Sequence, residues 1–510
     1  EQTLELITDP NIYLFVENAK RGGMSFIGHR YAKANNKYMK NFDTNKESSY
    51  LMYFDANSLY SKAMCYPLPV GNYKWFKGHK KEFILKSFKD NEYNFMVECD
   101  IEYPKELHDG HNDYPLAPEK LVVDDNFKDL KYCEKIRTKF EKDYNYKLTK
   151  SKVPKLISSL TNKKNYIVYA RLLKYYLELG LKIKPIRILT FDEKPWMKTF
   201  IEFNIEKRII AKNAFEIDFF KLMNNSVYGK TMENVRKRCN LMVRRNEKST
   251  LKWIAMPNFK DLIKINNNFF IINRFKDKVV LNKPMYVGVA VLDYSKLIMY
   301  KYHYSLFKNF YGNNARLLMT DTDSLFYEIK TDDVYKDLFD SEGSKLKPNK
   351  LFKDTFGEYK LISDLFDRAN LKKDNIYYSN ENNKVSGLLK IENGDNIIEE
   401  FVALKSKNYA FKYAEEYEKY LNNGDKGKLI RCKGVVKATV EDNIKVETMI
   451  DTIKNSTLTR HDNYCLRSKK HEIGLYKINK ISLSCYDDKR YILEDGITSY
   501  SHGHYKIKEL

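Results

Sequence analysis

The segment ARLLMTDTDSLFYEI at residues 315–329 constrains the fold most, because two apolar runs meet there at Asp321 and Asp323. Apolar runs on both sides of a short polar turn predict a β-hairpin with buried strands. At such a turn the two carboxylates repel each other. Either the hairpin has an ordinary polar tip, since turns accept Asp readily, or the acids bind a cation such as Mg²⁺, which prefers oxygen ligands.

A metal site of this kind needs another acid from elsewhere in the chain, and Asp55 is the candidate. In SSYLMYFDANSLYSKAM, a strand predicted from Tyr50 to Phe54 breaks at Asp55 into a short helix. A carboxylate at the end of this strand can face the hairpin turn. The alternative is a helix N-cap, a role that Asp55 or Asn57 could fill. Tyr60, one helical turn later, either packs beside a bound sugar or belongs to the core.

The segment KLMNNSVYGKTMENVRKR begins at Lys221 and is predicted to be helical. Lys221, Asn225 and Tyr228 fall at i, i+4 and i+7 and therefore share one face. A cation, an amide and an aromatic ring in one stripe can bind a nucleoside triphosphate, while a solvated amphipathic helix is the alternative. Arg208 and Lys212 lie upstream and offer further cations for phosphate.

Other stretches give the organisation of the chain. Helices are predicted over residues 165–180, throughout 200–238, and over 291–310, where the pattern is amphipathic. Residues 240–284 contain alternating, strand-like pieces and are interpreted as an insertion. Turns are predicted at 393–395 and 423–425, because both carry the sequence Asn-Gly-Asp.

Composition limits the class of protein. The 90 Lys and Arg residues exceed the 68 Asp and Glu residues, which gives a net charge of +22. Such an excess suits a polyanionic partner such as nucleic acid, although an AT-rich genome would also enrich lysine. The seven cysteines form no CxxC pair, which favours a reducing compartment. No apolar run approaches ~18 residues, so a soluble protein without a membrane partner is predicted.

Three motifs together resemble a known family. D-x-x-S-L-Y at 55–60, K-x-x-x-N-S-x-Y-G at 221–229 and D-T-D-S at 321–324 resemble motifs A, B and C of family B DNA polymerases, in the same order. The first motif alone would arise by chance in well under about 1% of chains of this length. A fourth match, Lys407-Asn408-Tyr409, resembles the K-x-Y motif that contacts the primer end. The chain is therefore identified as a member of this family.

Within this family the chain is most similar to the protein-primed members of the polinton/maverick or adenovirus-like kind. The long segments between motifs A and B and between B and C resemble their two terminal-protein-region insertions. Arg21-Gly22-Gly23 resembles the template-contacting Y-x-G-G motif. Only 54 residues precede Asp55, so this chain is expected to lack a proofreading exonuclease domain.

The resemblance implies an α+β, right-hand polymerase fold, with an antiparallel palm sheet, helical fingers and a C-terminal thumb. It implies six regions: a linker and first part of the palm with motif A (1–76), an insertion resembling terminal-protein region 1 (77–190), fingers with motif B (191–238), an insertion resembling terminal-protein region 2 (239–284), palm with motif C and K-x-Y (285–412), and thumb (413–510).

The resemblance also implies roles for individual residues. Asp55 and Asp323 would hold two Mg²⁺ ions, for which Mn²⁺ could substitute, with help from Asp321 and the carbonyl of Ala56. The implied nucleotide-binding residues are Ala56, Ser58, Leu59, Tyr60, Arg208, Lys212, Lys221, Asn225, Ser226 and Tyr228, with Tyr60 as a steric gate against ribose. The implied DNA- and primer-binding residues are Arg21, Gly22, Gly23, Gly229, Thr322, Ser324, Lys407 and Tyr409.

The implied activity is that of a DNA-directed DNA polymerase acting as a monomer on template-primer DNA and dNTPs, with a terminal protein as primer in the protein-primed case. Two positions depart from the motifs: Ser61 replaces the usual proline of motif A, and Met319 replaces the tyrosine before motif C. The acids themselves are intact. Two alternatives stay open, namely a non-catalytic DNA- or partner-binding relic and an RNA-directed or template-independent nucleotidyltransferase.

Overall fold

A computed structural model of the chain describes residues 2–127, 130–340, 351–355, 357–414, 428–469 and 472–509. In chain order its strands are β1 Ser25–Ile27, β2 Tyr31–Lys33, β3 Ser49–Ala56, β4 Leu68–Trp75, β5 Phe95–Glu102, β6 Glu119–Leu121, β7 Lys155–Ile157, β8 Lys163–Tyr169, β9 Lys182–Lys194, β10 Asn240–Arg244, β11 Phe259–Asn266, β12 Phe269–Arg274, β13 Ala315–Asp321, β14 Ser324–Lys330, β15 Leu351–Lys353, β16 Tyr359–Leu361, β17 Phe366–Asp367, β18 Leu389–Ile391, β19 Ile398–Lys405, β20 Asn408–Tyr413, β21 Lys428–Cys432, β22 Leu458–Lys469, β23 Glu472–Ser484, β24 Tyr491–Ile492 and β25 Ser499–Tyr500.

The helices are α1 Pro10–Asn18, α2 Leu59–Met64, α3 Lys80–Lys89, α4 His108–His111, α5 Val123–Asn126, α6 Lys131–Tyr144, α7 Ala170–Glu178, α8 Lys198–Ile209, α9 Ala214–Thr231, α10 Glu247–Ile254, α11 Met285–Tyr300, α12 Asn309–Tyr311, α13 Val334–Phe339, α14 Lys437–Asn443 and α15 Val446–Lys454. A π-helical segment, Lys301–Lys308, joins α11 to α12. None of the helices in the described ranges is both long and apolar enough to cross a bilayer.

The centre of the molecule is a ten-stranded sheet in which the main order is β1-β13-β14-β3-β19-β20-β21, with β2, β17 and β18 attached at its sides. All of its described pairings are antiparallel except that of β17 with β18. The predicted α+β class with an antiparallel sheet is confirmed. Because strands distant in sequence are neighbours in this sheet, it brings together the ends of β3, β13 and β14.

The predicted hairpin is confirmed as β13 and β14, which pair directly with each other. Their apolar residues are buried, since Leu317, Leu318 and Leu325 are at most 1% exposed. The strand predicted over Tyr50 to Phe54 is also confirmed and extends at both ends to form β3. β14 pairs with β3 along its whole length, and Ser324 lies opposite Asp55. The hairpin turn and the end of β3 therefore meet at one edge.

Helix α11 corrects the amphipathic helix predicted over 291–310. It begins at Met285, six residues earlier, and all of its residues to Tyr300 are buried. It packs against α1, α2, α7 and α9 and against β4, so no side remains for solvent. Asp293 and Lys296, which suggested a polar face in the sequence, are buried and lie 3.6 Å apart as an ion pair.

The segment between motifs A and B contains a four-stranded sheet of order β4-β9-β5-β8. The helix predicted over residues 165–180 is wrong in its first part, because residues up to Tyr169 form strand β8 and only then does α7 begin. Tyr166, Ile167 and Val168 pair with β5 and are buried. Aromatic and β-branched side chains favour this sheet position over a helix.

The prediction of helix over 200–238 is confirmed, but the region forms two separate helices, α8 and α9, instead of one. Helix α8 ends at Ile209, and Asn213 caps α9 by accepting a hydrogen bond from the Glu216 amide. The strand-like pieces after Arg238 form the sheet β10-β12-β11, with α10 inserted after β10.

Beyond β21, helices α14 and α15 precede the long hairpin β22–β23, and α15 packs on β19 and β20. The turn predicted at 423–425 lies outside the described residues, whereas Gly394 of the other predicted turn has a φ of +54°. The last strands, β24 and β25, return to the N-terminal part of the chain, where Thr498 forms a bridge with His29.

Candidate active site

The turn between β13 and β14 is held in a specific backbone conformation. Thr322 has a φ of +68°, in the left-handed region that β-branched residues rarely adopt. Its amide donates a hydrogen bond of 2.7 Å to the Met24 carbonyl, and the Asp323 amide donates to the Asp321 carbonyl at 2.8 Å. The loop before β1 thus fixes the turn that carries both acids.

Asp55 and Asp323 lie side by side at the edge where β3 meets this turn. The backbone of Ala56, next to Asp55, donates a hydrogen bond of 2.7 Å to the Asp323 carbonyl. Burial is the main cause that raises the pKa of Asp55, and the charges of Asp323 and Glu392 add to it. Burial and then the Asp321 charge raise the pKa of Asp323. Lys221 opposes both shifts, so its positive charge stabilises the ionised acids.

The third acid, Asp321, has a different environment. Its Oδ1 forms an ion pair of 2.9 Å with Lys407 Nζ, which comes from the turn between β19 and β20. Lys407 itself has a φ of +62°. Two residues further, the Tyr409 hydroxyl lies 3.2 Å from that of Tyr53 on β3. The K-x-Y residues are therefore attached to the same edge of the sheet as motifs A and C.

A cavity of about 570 Å³ opens at this edge. The cavity is lined by residues of all three motifs and of the helix before motif B, namely Asp55, Asn57, Ser58, Leu59, Tyr60, Arg208, Lys221, Asn225, Tyr228, Thr322, Asp323, Lys390 and Glu392. The three segments are separated by more than 90 residues each in the sequence, and the fold brings them around one space. Lys221, Asn225 and Tyr228 all line it, as a common helical face requires.

Two contacts shape the cavity wall. The rings of Tyr60 and Tyr228 lie 4.6 Å apart, and burial raises the pKa of the Tyr60 hydroxyl to about 12. Arg208 donates from Nη1 to Ser58 Oγ at 3.1 Å, while its buried Nε has no partner among the described residues. Burial lowers the pKa of Arg208. A partly buried guanidinium that lines a cavity and retains an unused donor is suited to an anionic ligand.

Several predicted site residues lie outside the cavity wall. Lys212 is exposed, and its amide donates to Glu216. Ser226 is exposed and donates to the Met223 carbonyl. The remaining predicted residues that are absent from the wall are Arg21, Gly22, Gly23, Ala56, Gly229, Asp321, Ser324, Lys407 and Tyr409.

Three residues that line the cavity are not among the site residues predicted from the sequence: Asn57, Lys390 and Glu392. The sequence offers Asn57 as a helix cap, whereas in the structure its side chain donates to Asp367 at 2.7 Å. Lys390 lies opposite Asp55 because β18 pairs with β3, and its Nζ contacts Glu392 at 2.8 Å. No local pattern marks this pairing, since β3 and β18 are more than 300 residues apart.

The donor atoms at the edge fit Mg²⁺. In the part of the chain that the structure describes, no group of three or more His, Cys, Asp or Glu side chains is arranged for a metal ion. Asp321 pairs with Lys407 and is absent from the cavity wall, whose carboxylates are Asp55, Asp323 and Glu392, the last paired with Lys390. Mg²⁺ in nucleotide sites typically takes one or two carboxylates, and substrate phosphates complete its shell. Asp55 and Asp323, which meet where the end of β3 pairs with the start of β14, match that requirement.

A family model described as DNA polymerase type B, organellar and viral, matches residues 32–306, more than half of the 510 residues. The chain belongs to this family. The identification as a family B DNA polymerase of the protein-primed kind is thereby confirmed at the level of the family. The match includes motifs A and B and ends within the π-helical segment, before motif C.

Solved structures similar to this type B polymerase include Phi29 DNA polymerase complexed with primer-template DNA and incoming nucleotides, and its orthorhombic crystal form. Both have a TM-score of 0.49 and 14% identity, over 94% of this chain and 64% of theirs. Phi29 DNA polymerase complexed with single-stranded DNA has a TM-score of 0.46. The chain thus spans less than two thirds of the length of Phi29 DNA polymerase. No curated protein matches it.

Proposed function

We propose that this protein is a DNA-directed DNA polymerase that adds a dNMP to the 3′-hydroxyl of a primer. The observation that carries the proposal is the convergence of motifs A, B and C on one cavity, which is lined by the carboxylates Asp55 and Asp323 and by the cations Lys221 and Arg208. This arrangement pairs an acidic metal-binding edge with a cationic, aromatic wall. A dNTP needs both, because it carries a metal-bound triphosphate, a sugar and a base.

Asp55, Asp323 and the Ala56 carbonyl would hold two Mg²⁺ ions, or Mn²⁺ in their place. When bound, such ions activate the 3′-hydroxyl and neutralise charge on the triphosphate. The 3′-oxygen forms a bond to the α-phosphorus while the bond from that phosphorus to the β-phosphate oxygen breaks. Pyrophosphate leaves, and the hydroxyl proton is released to solvent.

The residues of the cavity would position the reactants. Lys221 and Arg208 would bind the triphosphate oxygens, since both are cations that line the same cavity as the acids. Tyr60, held against Tyr228, would lie beside the sugar and exclude a ribose 2′-hydroxyl. Lys407 and Tyr409 would hold the primer end at the neighbouring edge of the sheet. Beyond the cavity, the basic surface would follow the DNA backbone without reading its sequence.

Primer extension in Mg²⁺ tests the proposal directly. Asp323→Asn should reduce extension by at least about 1,000-fold, since it removes one of two carboxylates that would bind the metals. Asp332→Asn changes an exposed acid just after β14 and should retain the parental rate. Circular dichroism should show that both variants are folded. Equal rates for the parent and Asp323→Asn would refute the assignment and favour a non-catalytic relic.

The choice of substrate separates this function from that of an RNA-directed or template-independent nucleotidyltransferase. We expect extension with dNTPs on a DNA template, and little with rNTPs, because Tyr60 lines the cavity. Tyr60→Ala should raise rNTP incorporation relative to dNTP by about 10- to 100-fold, as removal of a steric contact is worth ~1–3 kcal/mol. Tyr60→Phe retains the ring and serves as the control. Extension without any template, or a preference for RNA, would support the alternative.

We also propose that the first dNMP can be added to the hydroxyl of a terminal protein. This proposal is supported by the two insertions, at 77–190 and 239–284, which resemble the terminal-protein regions of protein-primed polymerases. Incubation with labelled dNTP and the cognate terminal protein should give a protein–nucleotide adduct. An active polymerase that fails with its own terminal protein would contradict this part alone.

A further inference from the structure

Helix α11 contains a buried ion pair that the proposed chemistry does not use. The side chains of Asp293 and Lys296 are only 7% and 3% exposed, and Lys296 Nζ lies 3.6 Å from Asp293 Oδ1. Desolvation makes such pairs costly, and apolar side chains of similar size often stabilise a protein as well or better. The presence of this costly ion pair is therefore explained by the groups that it contacts.

Both partners bind backbone atoms of other segments. Lys296 Nζ donates to the carbonyl of Arg21 at 2.7 Å and to that of Leu292, in its own helix, at 3.1 Å. Asp293 Oδ2 accepts a hydrogen bond of 3.1 Å from the Tyr169 amide at the end of β8. The ion pair thus attaches two segments to α11, the loop before β1 and the sheet of the first insertion.

The loop is fixed a second time through the side chain of Arg21. Its guanidinium donates to the Ile167 carbonyl at 2.8 Å and lies 3.8 Å from the centre of the Tyr166 ring. Arg21 is thus bound at its carbonyl by α11 and at its guanidinium by β8. In this structure its side chain is directed into the protein.

The loop in turn contacts the turn that carries the acids. Met24 accepts the 2.7 Å hydrogen bond from the Thr322 amide. A Cβ atom added to Gly23 would lie 2.4 Å from Thr322 Cγ2, so the two segments touch without space for a methyl group. Displacement of the loop would therefore displace Thr322, whose backbone links Asp321 to Asp323.

We propose that Lys296, together with Asp293, is a positioning residue for the catalytic turn, acting through the loop from Arg21 to Met24. Carboxylates that share metal ions must be held within fractions of an ångström, and supporting contacts supply that precision. The buried pair provides a rigid donor to the loop, and the loop holds Thr322 in its left-handed conformation. The metal-binding and activity arms of the test rest on the proposed function, whereas the exchange arm does not.

The first measurement is amide hydrogen exchange around Thr322, which needs no activity. Asp293→Asn/Lys296→Met removes the lysine donor and both charges together, so that no unpaired charge is left buried. The new amide side chain at position 293 can still accept the hydrogen bond from the Tyr169 amide. We expect exchange of the Thr322 amide to accelerate at least tenfold, while exchange in β20 stays unchanged. An unchanged Thr322 amide in the folded double variant would overturn the proposal.

The matched control is Arg171→Met/Glu193→Gln, which removes another largely buried pair beside the same helix. Arg171 donates to Tyr294, and Glu193 accepts from Tyr169, so neither of these bonds reaches the loop. We expect a loss of thermal stability from this control but no acceleration at Thr322. Equal acceleration in both double variants would show a general loosening and would also overturn the proposal.

The second measurement is Mn²⁺ binding, followed by electron paramagnetic resonance, together with the Mg²⁺ dependence of primer extension. The Asp293→Asn/Lys296→Met variant should need about 3- to 10-fold more metal for half-saturation in both, and the control should match the parent. If parental protein extends no primer, the proposed function fails, while the exchange result still decides the positioning role. Parental metal affinity in the variant would contradict that role.

Discussion

Asp55 and Asp323, with Glu392 in the same cavity wall, place several negative charges close together when no cation is bound. Burial and neighbouring negative charge raise the pKa of Asp55 and Asp323 above the ordinary value of 3.8. The folded chain then retains protons that the unfolded chain has already released. The protonated Asp55 and Asp323 therefore contribute to the stability of the folded chain fully below pH 3.8, and this contribution is lost as the pH rises through their raised pKa values. A bound divalent cation reverses this penalty.

Asp323→Asn should consequently stabilise the metal-free protein while it abolishes activity. At pH 8 we expect its Tm to exceed that of the parent by roughly 2–4 °C, since one ionised acid of a repelling pair is gone. The difference should shrink as the pH falls through the raised pKa values, because the parent then becomes protonated. Differential scanning calorimetry in EDTA measures this.

Addition of Mg²⁺ provides the control for that prediction. It should raise the Tm of the parent more than that of Asp323→Asn, because only the parent has both carboxylates. A variant that melts below the parent at pH 8 in EDTA would show that Asp323 makes stabilising contacts outweighing the repulsion.

At the scale of elements, the site depends on how closely helices α9 and α11 approach. A Cβ atom at Gly288 of α11 would lie 2.3 Å from Met232 Sδ and 2.7 Å from Thr231 Oγ1, at the end of α9. Helix α9 presents Lys221 and Tyr228 to the cavity. The missing side chain at Gly288 thus lets the motif B helix pack onto the buried core.

Gly288→Ala should destabilise the protein by about 1–3 kcal/mol, the usual cost of overpacking a core contact. The matched control is Gly229→Ala on α9 itself, where an added Cβ would meet no atom within 4 Å. There the substitution should be neutral or stabilising by ~0.5–1 kcal/mol, because alanine favours a helix. Thermal melts of both variants decide the matter, and equal melting temperatures would contradict the close approach.

The elements also show what could be predicted from sequence. The β13–β14 hairpin and β3 were predictable, since their apolar runs are bounded by Asp at a turn or strand end. Lys390 was not, because it reaches the cavity through a pairing between β18 and β3 that leaves no local pattern. The strand β8 was mistaken for helix because its Tyr-rich apolar run, Tyr166–Tyr169, fits both periods. The amphipathic pattern over 291–310 does not predict the full burial of α11, because periodicity does not report the neighbours on each side.

At the scale of the whole molecule, Arg30 joins segments from three parts of the chain. It is 1% exposed. Its guanidinium donates five hydrogen bonds, to the carbonyls of Ala403, Leu404, Cys485 and Gly496 and to the hydroxyl of Tyr132. These acceptors belong to the central sheet, the C-terminal segment and helix α6. None of these acceptors is a carboxylate, and the charge of Arg30 also acts on the nearby buried carboxyl of Asp487, whose pKa it lowers against the raising effect of burial.

Arg30→Met should lower the free energy of unfolding by at least about 3 kcal/mol, because it leaves several buried acceptors without a donor. Limited proteolysis should then cut the C-terminal segment before the central sheet. Arg460→Met removes an exposed arginine that bonds Asn479 and should change little. If the Arg30→Met variant resists heat and protease as well as the parent does, the role given to Arg30 is wrong.

The return of the C-terminal segment to the start of the chain has a consequence for synthesis on the ribosome. Ser499 Oγ bonds the Gly28 carbonyl, the Arg30 amide bonds the Ile497 carbonyl, and Lys489 Nζ bonds the Ser25 carbonyl. At 5–20 residues per second, the residues around β1 wait about 20–90 s for these partners to be translated. Throughout that interval the nascent chain cannot complete the support of its acidic turn. The proposed metal site should therefore be completed only after the C-terminal segment has been translated, and slow, chaperone-assisted expression should raise the yield of folded protein.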